Sequence, residues 1–484
     1  MNPPIRSTLE ADGVLLATID MADRTMNVFS VELMDALDAL MDRVDRDAAV
    51  KSVVVTSGKP SFLAGADLVM VRGYCDAARS ATHAQMFEMC GRLGRQFVRL
   101  EASPKPWVAA VNGLALGGGL ELAMACRARL VADDPRIQLG LPEVRWGLLP
   151  GAGGTQRMPR LLGFQLAMEL LLSGRSLAPA DAVQAGLFAR ALPAAQLLDE
   201  ARSTARALHG QAFDAAAKFR YLDQRDVPLH SEAEARAIAA RHGVDGEQFE
   251  RYPAYSAIVD SVLLGARQPI DAATALEMKQ FLRLMFSPVA GCMVRTLFLE
   301  RLRAEKELAR PEGLKLESIG VGALGEALAP WRAALAKIKV AQAAETGVPA
   351  DMLDLVDATG RRHRVRLAVL EGQAPGADGD VPVCVLAPAG PYGRVIEVVG
   401  GAAHAAEAAA ALATRMWALP WRTPGPSSAL QRLQGLTLQA QADAAHVIIG
   451  NAGFGDPAFL DVAACLAGLS PAWSGGPLTW AATQ

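Results

Sequence analysis

The chain has 484 residues and 51% of them are hydrophobic, which predicts roughly three domains and enough apolar surface for a large core. Its net charge of −3 at pH 7 excludes the strongly basic surface typical of nucleic-acid-binding proteins. The six cysteines lack metal-ligand spacing, so we expect reduced thiols, no metal site and a cytoplasmic location. Residues 1–6 lack a secretory-signal core, and polar residues and glycines interrupt the longest apolar region, 107–126, so no membrane span is expected.

Two short β-prone runs and a helical pattern open the chain. Residues 14–19 and 52–56 are rich in aliphatic side chains, and residues 31–44 between them have apolar side chains at three- and four-residue spacing. That spacing is typical of a helix with one buried face. The first sixty residues therefore predict a strand–helix–strand unit of an α/β fold.

Residues 62–68 follow the second predicted strand and read Phe-Leu-Ala-Gly-Ala-Asp-Leu. Taken alone, they predict a tight turn at Gly65 with Asp67 as the N-cap of a following helix. A short carboxylate side chain can accept the free N–H groups of a first helical turn. The simplest interpretation of this segment by itself is structural.

The next segment predicts a strand that turns through glycines into a helix. Residues 107–111 form an apolar run, residues 117–119 are all glycine, and Glu121 lies in the apolar helical pattern that follows. A helix start offers free N–H groups and a positive dipole end, which favour a developing negative charge. A carboxylate in an apolar run is costly to bury, so Glu121 is a candidate functional residue.

A second candidate carboxylate, Glu143, comes 143 − 121 = 22 positions later and directly follows Pro142. Residues 150–155 then form another loop rich in small residues, which lets backbone approach a ligand closely. Two carboxylates beside a glycine-lined helix start indicate general acid/base catalysis at a stabilised oxyanion. The alternative is a glycine-kinked crossover with two ordinary surface glutamates.

Four motifs in order resemble the enoyl-CoA hydratase (crotonase) superfamily, and in particular the hydratase half of multifunctional fatty-acid oxidation enzymes. They occupy residues 112–113, 117–121, 141–143 and 150–157. The resemblance implies an α/β protein in which residues 1–190 form a crotonase-like ββα spiral catalytic domain. It also implies a helical linker region at 191–310, and a truncated, Rossmann-like plus helical region at 311–484 that resembles a degenerate 3-hydroxyacyl-CoA dehydrogenase.

The same resemblance implies the roles of individual residues. Glu121 would hold and activate a water molecule, and Glu143 would deliver a proton to Cα of the substrate. The backbone N–H groups of Ala66 and Gly118 would form an oxyanion hole for the thioester oxygen. The implied substrate-binding residues are Ala64, Asp67, Leu68, Gly117, Pro142 and Gly151.

The C-terminal third contains a G-x-G-x-x-G pattern formed by Gly320, Gly322 and Gly325. A second strand is predicted at 338–341, and Glu345 follows Gly325 by 345 − 325 = 20 positions. A single pattern of this kind is weak evidence for a dinucleotide site. Residues 314–318 before it alternate apolar and charged side chains and predict a poor buried strand.

The later part of this region resembles the end of a 3-hydroxyacyl-CoA dehydrogenase nucleotide domain, but it departs from that family. Gly325 and Pro388 are 388 − 325 = 63 positions apart, roughly half the family's distance, so much of the ligand crevice would be missing. Glu397 matches the family's glutamate, whereas Val385 or Leu386 stands where its histidine is expected, and the usual asparagine near Ala429 is absent. We therefore expect no cofactor and a lost NAD site.

The sequence leaves three functions to be compared. The first is hydration of a trans-2-enoyl-CoA, with an acyl-CoA as the small-molecule substrate. The second is a Δ3-Δ2 enoyl-CoA isomerase, which needs only one carboxylate near Glu143. The third is a non-catalytic assembly subunit that binds a thiolase-like partner or forms a homo-oligomer. The presence of both Glu121 and Glu143 favours hydration.

Overall fold

The computed structural model describes residues 3–219, 221, 230–308, 314–321, 324, 326–345, 347–370, 379–387, 392–423, 426–450 and 456–483. They fold into two compact units, Met1–Gly291 and Cys292–Gln484. The finer division expected from the sequence, into 1–190, 191–310 and 311–484, stays a prediction.

The first unit is an α/β fold built on a mainly parallel sheet. Its strands are β1 (Ile5–Leu9), β2 (Val14–Ile19), β3 (Ser52–Ser57), β4 (Trp107–Val111), β5 (Ala115–Leu116), β6 (Ala128–Ala132), β7 (Leu139–Gly140), β8 (Ser176–Leu177) and β9 (Arg190–Leu192). Six of these described strands pair in the order β1-β2-β3-β4-β6-β9. All neighbours run parallel except β1 and β2.

A smaller sheet joins β5, β7 and β8 and lies beside the turn that follows β5. Isolated parallel bridges pair Phe29 with Ala66 and Leu63 with Ala115. These short pairings hold the 62–68 segment against the start of the helix that follows β5. The crotonase-like spiral architecture expected from the motifs is confirmed.

The helices of the first unit cover this sheet and the loops at its edge. They are α1 (Val31–Arg46), α2 (Leu68–Ala77), α3 (His83–Cys90), α4 (Arg92–Ala102), α5 (Gly118–Ala125), α6 (Gly154–Leu162), α7 (Phe164–Ser173), α8 (Pro179–Gln184), α9 (Ala194–Ala207), α10 (Ala215–Lys218), α11 (Glu232–Arg241), α12 (Gly246–Arg251), α13 (Pro253–Gly265) and α14 (Ile270–Met285). A short 3₁₀ helix, Glu143–Trp146, begins at the second candidate carboxylate.

Local sequence explains where the first helix begins. Ser30 caps α1 and accepts the N–H of Leu33, which satisfies one of the free donors of the first turn. The apolar positions of α1 are buried, as their three- and four-residue spacing predicts. The predicted strand–helix–strand opening is confirmed, although the structure adds β1 before it.

The second unit contains a mixed sheet followed by helices. Its strands are β10 (Leu316–Val321), β11 (Ala341–Ala344), β12 (Met352–Asp357), β13 (Arg362–Val369), β14 (Val383–Leu386), β15 (Val395–Val399) and β16 (Leu419–Thr423). They pair in the order β11-β10-β12-β13-β14-β15-β16. The pairs β10–β12, β12–β13 and β14–β15 are antiparallel. This mixed arrangement confirms the expectation of a truncated α/β region.

Helix α15 (Pro288–Met293) lies at the junction of the two units in the chain, and a π-helical stretch, Val294–Glu300, follows it. The remaining helices are α16 (Arg301–Leu308), α17 (Ala329–Leu335), α18 (Ala403–Arg415), α19 (Ala429–Leu433), α20 (Leu438–Ile449), α21 (Pro457–Leu466) and α22 (Pro477–Ala481), with 3₁₀ turns at Glu326–Leu328 and Ala472–Ser474. The predicted helices at the end of the chain are therefore confirmed.

One expectation for this unit was wrong. Residues 314–318 looked like a poor buried strand, yet β10 forms at 316–321 and buries Ile319 completely. Two neighbouring strands hold β10, since β11 pairs with one edge and β12 with the other. The predicted second strand also lies about three residues later than expected, at β11. Gly322 and Gly325 lie outside the described residues.

Within the described residues, no single helix combines the length and the apolar character needed to cross a membrane. One bent pair, Ile270–Met285 with Pro288–Leu308, reaches that length and composition only when both helices are counted together.

Candidate active site

Gly117 forms the corner between β5 and α5, and it is a position where glycine is required. Its φ is +51°, in the left-handed region that side chains with a Cβ rarely adopt. A Cβ there would lie 2.6 Å from Oε1 of Glu143. The corner therefore brings the backbone into direct contact with the second candidate carboxylate.

The 62–68 segment lies beside this corner. The N–H of Phe29 donates to the carbonyl of Gly65 at 2.8 Å, and the N–H of Asp67 donates to the carbonyl of Phe29 at 2.9 Å. This bridge leaves the N–H of Ala66 directed away from Phe29. Gly65 has a φ of +89°, and a Cβ on it would be 3.8 Å from the N atom of Gly118.

The N–H groups of Ala66 and Gly118 have no hydrogen-bond acceptor among the described residues. The N–H of Gly118 belongs to the first turn of α5, where no intrahelical acceptor exists. Two unsatisfied donors thus come from separate, adjacent segments. Their role as an oxyanion hole stays a prediction, and this geometry supports it.

Glu121 lies in the first turn of α5 and is only 2% exposed. Its Oε1 accepts the N–H of Ala152 at 2.8 Å and the N–H of Gly154 at 2.7 Å. Burial raises the pKa of Glu121 to about 7, although the two backbone donors and the positive charge of Arg157 act in the opposite direction. A carboxyl with a pKa near neutrality can take up and release a proton under ordinary conditions.

Glu143 has different surroundings. It is the first residue of the 3₁₀ helix, and its Oε2 is enclosed without a hydrogen-bond partner among the described residues. Burial raises the pKa of Glu143 well above its ordinary value, and the negative charges of Glu121 and Glu277 raise it further. Glu143 therefore keeps its proton to a higher pH than an ordinary glutamate does.

The predicted substrate-binding residues occupy several places around this pair. Ala64 and Leu68 are half-buried on the segment that carries Ala66, and Pro142 directly precedes Glu143. Gly151 comes before the first N–H that holds Glu121, and a Cβ on it would lie 3.0 Å from the ring of Phe281. These substrate-binding roles stay predictions.

Asp67 makes two structural interactions. Its side chain caps α2 by accepting the N–H groups of Val69 and Met70, at 2.9 and 3.4 Å. It also forms an ion pair with Arg24 at 2.7 Å. The N-cap interpretation of this residue is confirmed.

Sequence reasoning missed another carboxyl near this pair, Glu277 on α14, which is completely buried. It accepts the N–H of Gly153 at 2.6 Å and the N–H of Thr155 at 2.9 Å, and it also bonds the Thr155 hydroxyl. Burial raises its pKa to about 8, and the charge of Glu121 contributes. The available signal was a single glutamate among apolar residues at 275–278.

A buried ion cluster supports the same loop. The guanidinium of Arg157 donates to the carbonyl of Ala152 at 2.9 Å and pairs with Glu101 at 3.0 Å. Lys218 also pairs with Glu101, and it donates to the carbonyl of Ala125 at the end of α5 at 2.9 Å. This cluster ties α5 and the 152–155 loop to α4 and α10.

The described part of the chain holds no group of three or more histidine, cysteine, aspartate or glutamate side chains that could bind a metal ion. The chemical groups in this site are two carboxyls with raised pKa values, Glu121 and Glu143, and the two N–H groups of Ala66 and Gly118 that have no acceptor among the described residues. Such a set can stabilise negative charge on an oxygen while it moves protons at nearby atoms.

A spiral α/β fold with this arrangement defines a crotonase-type protein. Comparison with known families agrees, because residues 12–250 match the family described as Enoyl-CoA hydratase/isomerase. The chain belongs to the enoyl-CoA hydratase/isomerase family through this region.

Similar curated proteins carry the name fatty acid oxidation complex subunit alpha. One from Idiomarina loihiensis is 36% identical over 365 residues, which covers 73% of this chain and 48% of the relative. One from Shewanella halifaxensis is 34% identical over 359 residues, covering 72% and 49%. The chain thus spans about half the length of these relatives. Among solved structures, an enoyl-CoA hydratase from Bacillus anthracis is 25% identical, with a TM-score of 0.37, covering 63% of this chain and 96% of that one.

Proposed function

We propose that the protein is an enoyl-CoA hydratase that adds water to trans-2-enoyl-CoA and forms 3-hydroxyacyl-CoA in fatty-acid β-oxidation. The observation that carries the proposal is the pair of carboxyls, buried Glu121 and half-buried Glu143, beside the free N–H groups of Ala66 and Gly118. Family membership and the names of the relatives support the same reaction.

The two N–H donors act on the thioester oxygen. When the oxygen of water bonds to Cβ, electrons move through the conjugated system and negative charge collects on the thioester oxygen. Donors that are already aimed at this position bind the charge more tightly in the transition state than in the substrate. Ala66 and Gly118 suit this task because folding has already freed and fixed their N–H groups.

The two carboxylates divide the proton transfers. Oε1 of Glu121 is held by two backbone donors, and no hydrogen bond from the described residues reaches its Oε2, which can accept a proton from water. Glu143 then gives its proton to Cα, which completes the addition. A proton passed from Glu121 to Glu143 restores the starting state, so the reaction consumes one water molecule and no other reagent.

The direct test is to mix the purified protein with crotonyl-CoA, and then with a longer enoyl-CoA, and follow the ultraviolet absorbance of the conjugated thioester. Hydration removes the conjugation, so the absorbance should fall and 3-hydroxyacyl-CoA should accumulate. Unchanged absorbance with both substrates contradicts the proposal. Conversion of a 3-enoyl-CoA without any hydration would instead identify an isomerase.

The name of the relatives as subunits of a complex supports a further proposal that this chain assembles with another protein of the same pathway. The proposed partner is a thiolase-like protein, and the alternative is a homo-oligomer. Light scattering of the protein with and without a thiolase of the pathway separates the two. A non-catalytic role does not require the free donors and paired carboxylates that the first unit retains.

A further inference from the structure

The N–H groups of residues 152–155 alternate between two carboxylates. Those of Ala152 and Gly154 donate to Glu121, and those of Gly153 and Thr155 donate to Glu277. Glu121 and Glu277 therefore both accept hydrogen bonds from the same four-residue segment. The loop ends at the start of α6, where donors have no intrahelical acceptor.

Glu277 is tied to a rigid helix, so it can fix the loop in place. It lies on α14, which packs against α6 and α13. The Thr155 hydroxyl contacts Ser261 of α13 at 2.7 Å, and the Gln156 side chain donates to the Ser261 carbonyl at 2.8 Å. Because the Thr155 hydroxyl also bonds Glu277, one connected network joins both helices to the loop.

We propose that Glu277 is a positioning residue. It holds the 152–155 loop so that the N–H groups of Ala152 and Gly154 place the carboxylate of Glu121 for catalysis. This inference rests on the proposed hydratase function. The carboxyl of Glu277 is suited to the task because its two oxygens can accept the two backbone N–H groups, and the Thr155 hydroxyl can donate to the ionised form or accept the proton of the neutral form. An amide of the same length presents a donor where one of those N–H groups already points.

Glu277 also influences the proton equilibria of the site. The charged groups around the site come from several elements, namely Glu121 on α5, Glu143 on the 3₁₀ helix, Arg157 and Arg160 on α6, Glu101 on α4 and Lys218 on α10. When Glu277 ionises above about pH 8, its charge raises the pKa of Glu143. Removing that charge should therefore lower the pKa of Glu143.

The matched control is Asp461 in the second unit. It is also buried and accepts two backbone N–H groups, from Leu478 and Thr479, and the Thr479 hydroxyl. Glu277→Gln and Asp461→Asn thus remove the same kind of interaction from two places. Only the first interaction involves the loop that holds Glu121.

The experiment compares the wild type, Glu277→Gln and Asp461→Asn by steady-state hydration of crotonyl-CoA across pH. Hydrogen–deuterium exchange of a peptide covering 150–157 is measured alongside. Glu277→Gln should lower kcat about tenfold to a hundredfold, the scale of a displaced catalytic group, with KM nearly unchanged. The alkaline limb of its kcat–pH profile should move to lower pH. The 150–157 peptide should exchange faster than in the wild type. Asp461→Asn should change none of these quantities.

Faster exchange in Glu277→Gln with wild-type kcat and pH profile would overturn the inference, because Glu277 would then have only a structural role. Unchanged exchange would overturn it as well. Equal losses of kcat in both variants would overturn it too, because the loss would then not depend on the loop that holds Glu121. If the wild type hydrates no enoyl-CoA, the proposed function fails, and exchange of the 150–157 peptide still decides whether Glu277 holds the loop.

Discussion

Glu121 and Glu143 carry the same functional group, and their hydrogen bonding separates their roles. Two backbone N–H groups stabilise the ionised form of Glu121, whereas Oε2 of Glu143 has no partner among the described residues. Burial raises the pKa of both groups, to about 7 for Glu121, whose backbone donors act in the opposite direction, and well above the ordinary value for Glu143. Since the two groups are coupled, the protons titrate as properties of the pair. Under the proposed function, Glu121 serves as the base and Glu143 as the acid of this pair.

Glu121→Gln and Glu143→Gln should each lower kcat by roughly a hundredfold or more, the usual scale for one acid/base group. Both changes are nearly isosteric, so the fold should persist, and circular dichroism and thermal unfolding serve as controls. Steady-state hydration of crotonyl-CoA measures the loss. Wild-type turnover by either variant would disprove the two-carboxylate mechanism.

The raised pKa of Glu121 also predicts a pH-dependent stability difference. The folded protein keeps a proton on Glu121 up to about pH 7, whereas an unfolded glutamate releases it near 4.5. Glu121 therefore contributes stability that is fully present below pH 4.5 and is lost as pH rises through about 7. Glu121→Gln does not lose this contribution. The unfolding free energy of the variant minus that of the wild type should therefore rise by up to about 3 kcal/mol between pH 4.5 and 8.

Urea denaturation of Glu121→Gln and wild type at pH 5 and pH 8 checks this difference. Lys218, whose lowered pKa acts at higher pH, titrates in both proteins. Removing the Glu121 charge also lowers the pKa values of Glu143 and Glu277, which adds to the gain of the variant at high pH. A constant difference between the proteins at both pH values would mean that Glu121 titrates normally in the folded state.

At the scale of elements, the start of α5 is where the backbone contributes most to the site. Three features meet there: the Gly117 corner, the first turn of α5 and the 62–68 segment. Each provides either a free N–H group or a glycine, which has no Cβ. A Cβ at Gly118 would lie 3.0 Å from Cδ2 of Phe29, so small size and the free N–H are separate requirements at this position.

A pair of variants at Gly118 separates these requirements. Gly118→Ala adds the Cβ and keeps the N–H, whereas Gly118→Pro removes the N–H as well. Proline should cost on the order of 3 kcal/mol in transition-state binding beyond the effect of alanine, the scale for one oxyanion donor. The ratio of kcat/KM for the two variants measures this cost, with thermal stability checked for each. Equal activity of the two folded variants would place the oxyanion elsewhere.

Much of this element-level arrangement could be predicted because its signals are local. The run of glycines before Glu121 and the small residues at 62–68 identify a helix start and a tight turn through their own backbone requirements. Glu277 could not be placed in this way, because it reaches Gly153 and Thr155 across more than 120 positions of chain. A helical pattern shows that such a residue lies on a helix, and only the tertiary fold shows which loop it meets.

Strand β10 was missed for a related reason. Its charged residues at 315 and 317 lower its apparent strand character, yet backbone pairing on both edges provides hydrogen bonds that local side chains do not reveal. Strand preference depends on neighbouring strands more than helix preference depends on neighbouring helices.

At the scale of the whole molecule, the second unit resembles a nucleotide-binding fold only in part. Strands β10 and β11 are parallel, as in the first half of such a fold. On its other side β10 pairs with β12, which runs antiparallel. The carboxyl ends of β10 and β12 therefore point in opposite directions. A dinucleotide crevice is formed where the carboxyl ends of neighbouring parallel strands meet.

The residues that would serve a dehydrogenase have other partners in this unit. Glu345 lies close against Gly320 and pairs with Arg362 at 2.9 Å. Glu397 accepts the N–H groups of Ala429 and Leu430 at the start of α19 and two hydroxyl groups. Val385 is its register partner across the sheet, and no described histidine bonds it. These contacts support the prediction that the NAD site is lost.

The protein should therefore hydrate enoyl-CoA without oxidising the product. Removing the hydroxyl proton of a 3-hydroxyacyl-CoA while hydride leaves requires a positioned base, and Glu397 is occupied as a helix cap without an imidazole to orient. Incubation with 3-hydroxyacyl-CoA and excess NAD should give no NADH absorbance, and calorimetry should detect no NAD binding. A working 3-hydroxyacyl-CoA dehydrogenase in the same assay serves as the positive control. Stoichiometric NAD binding together with NADH formation would show that the mixed sheet still builds a dinucleotide site, and the chain would then be bifunctional.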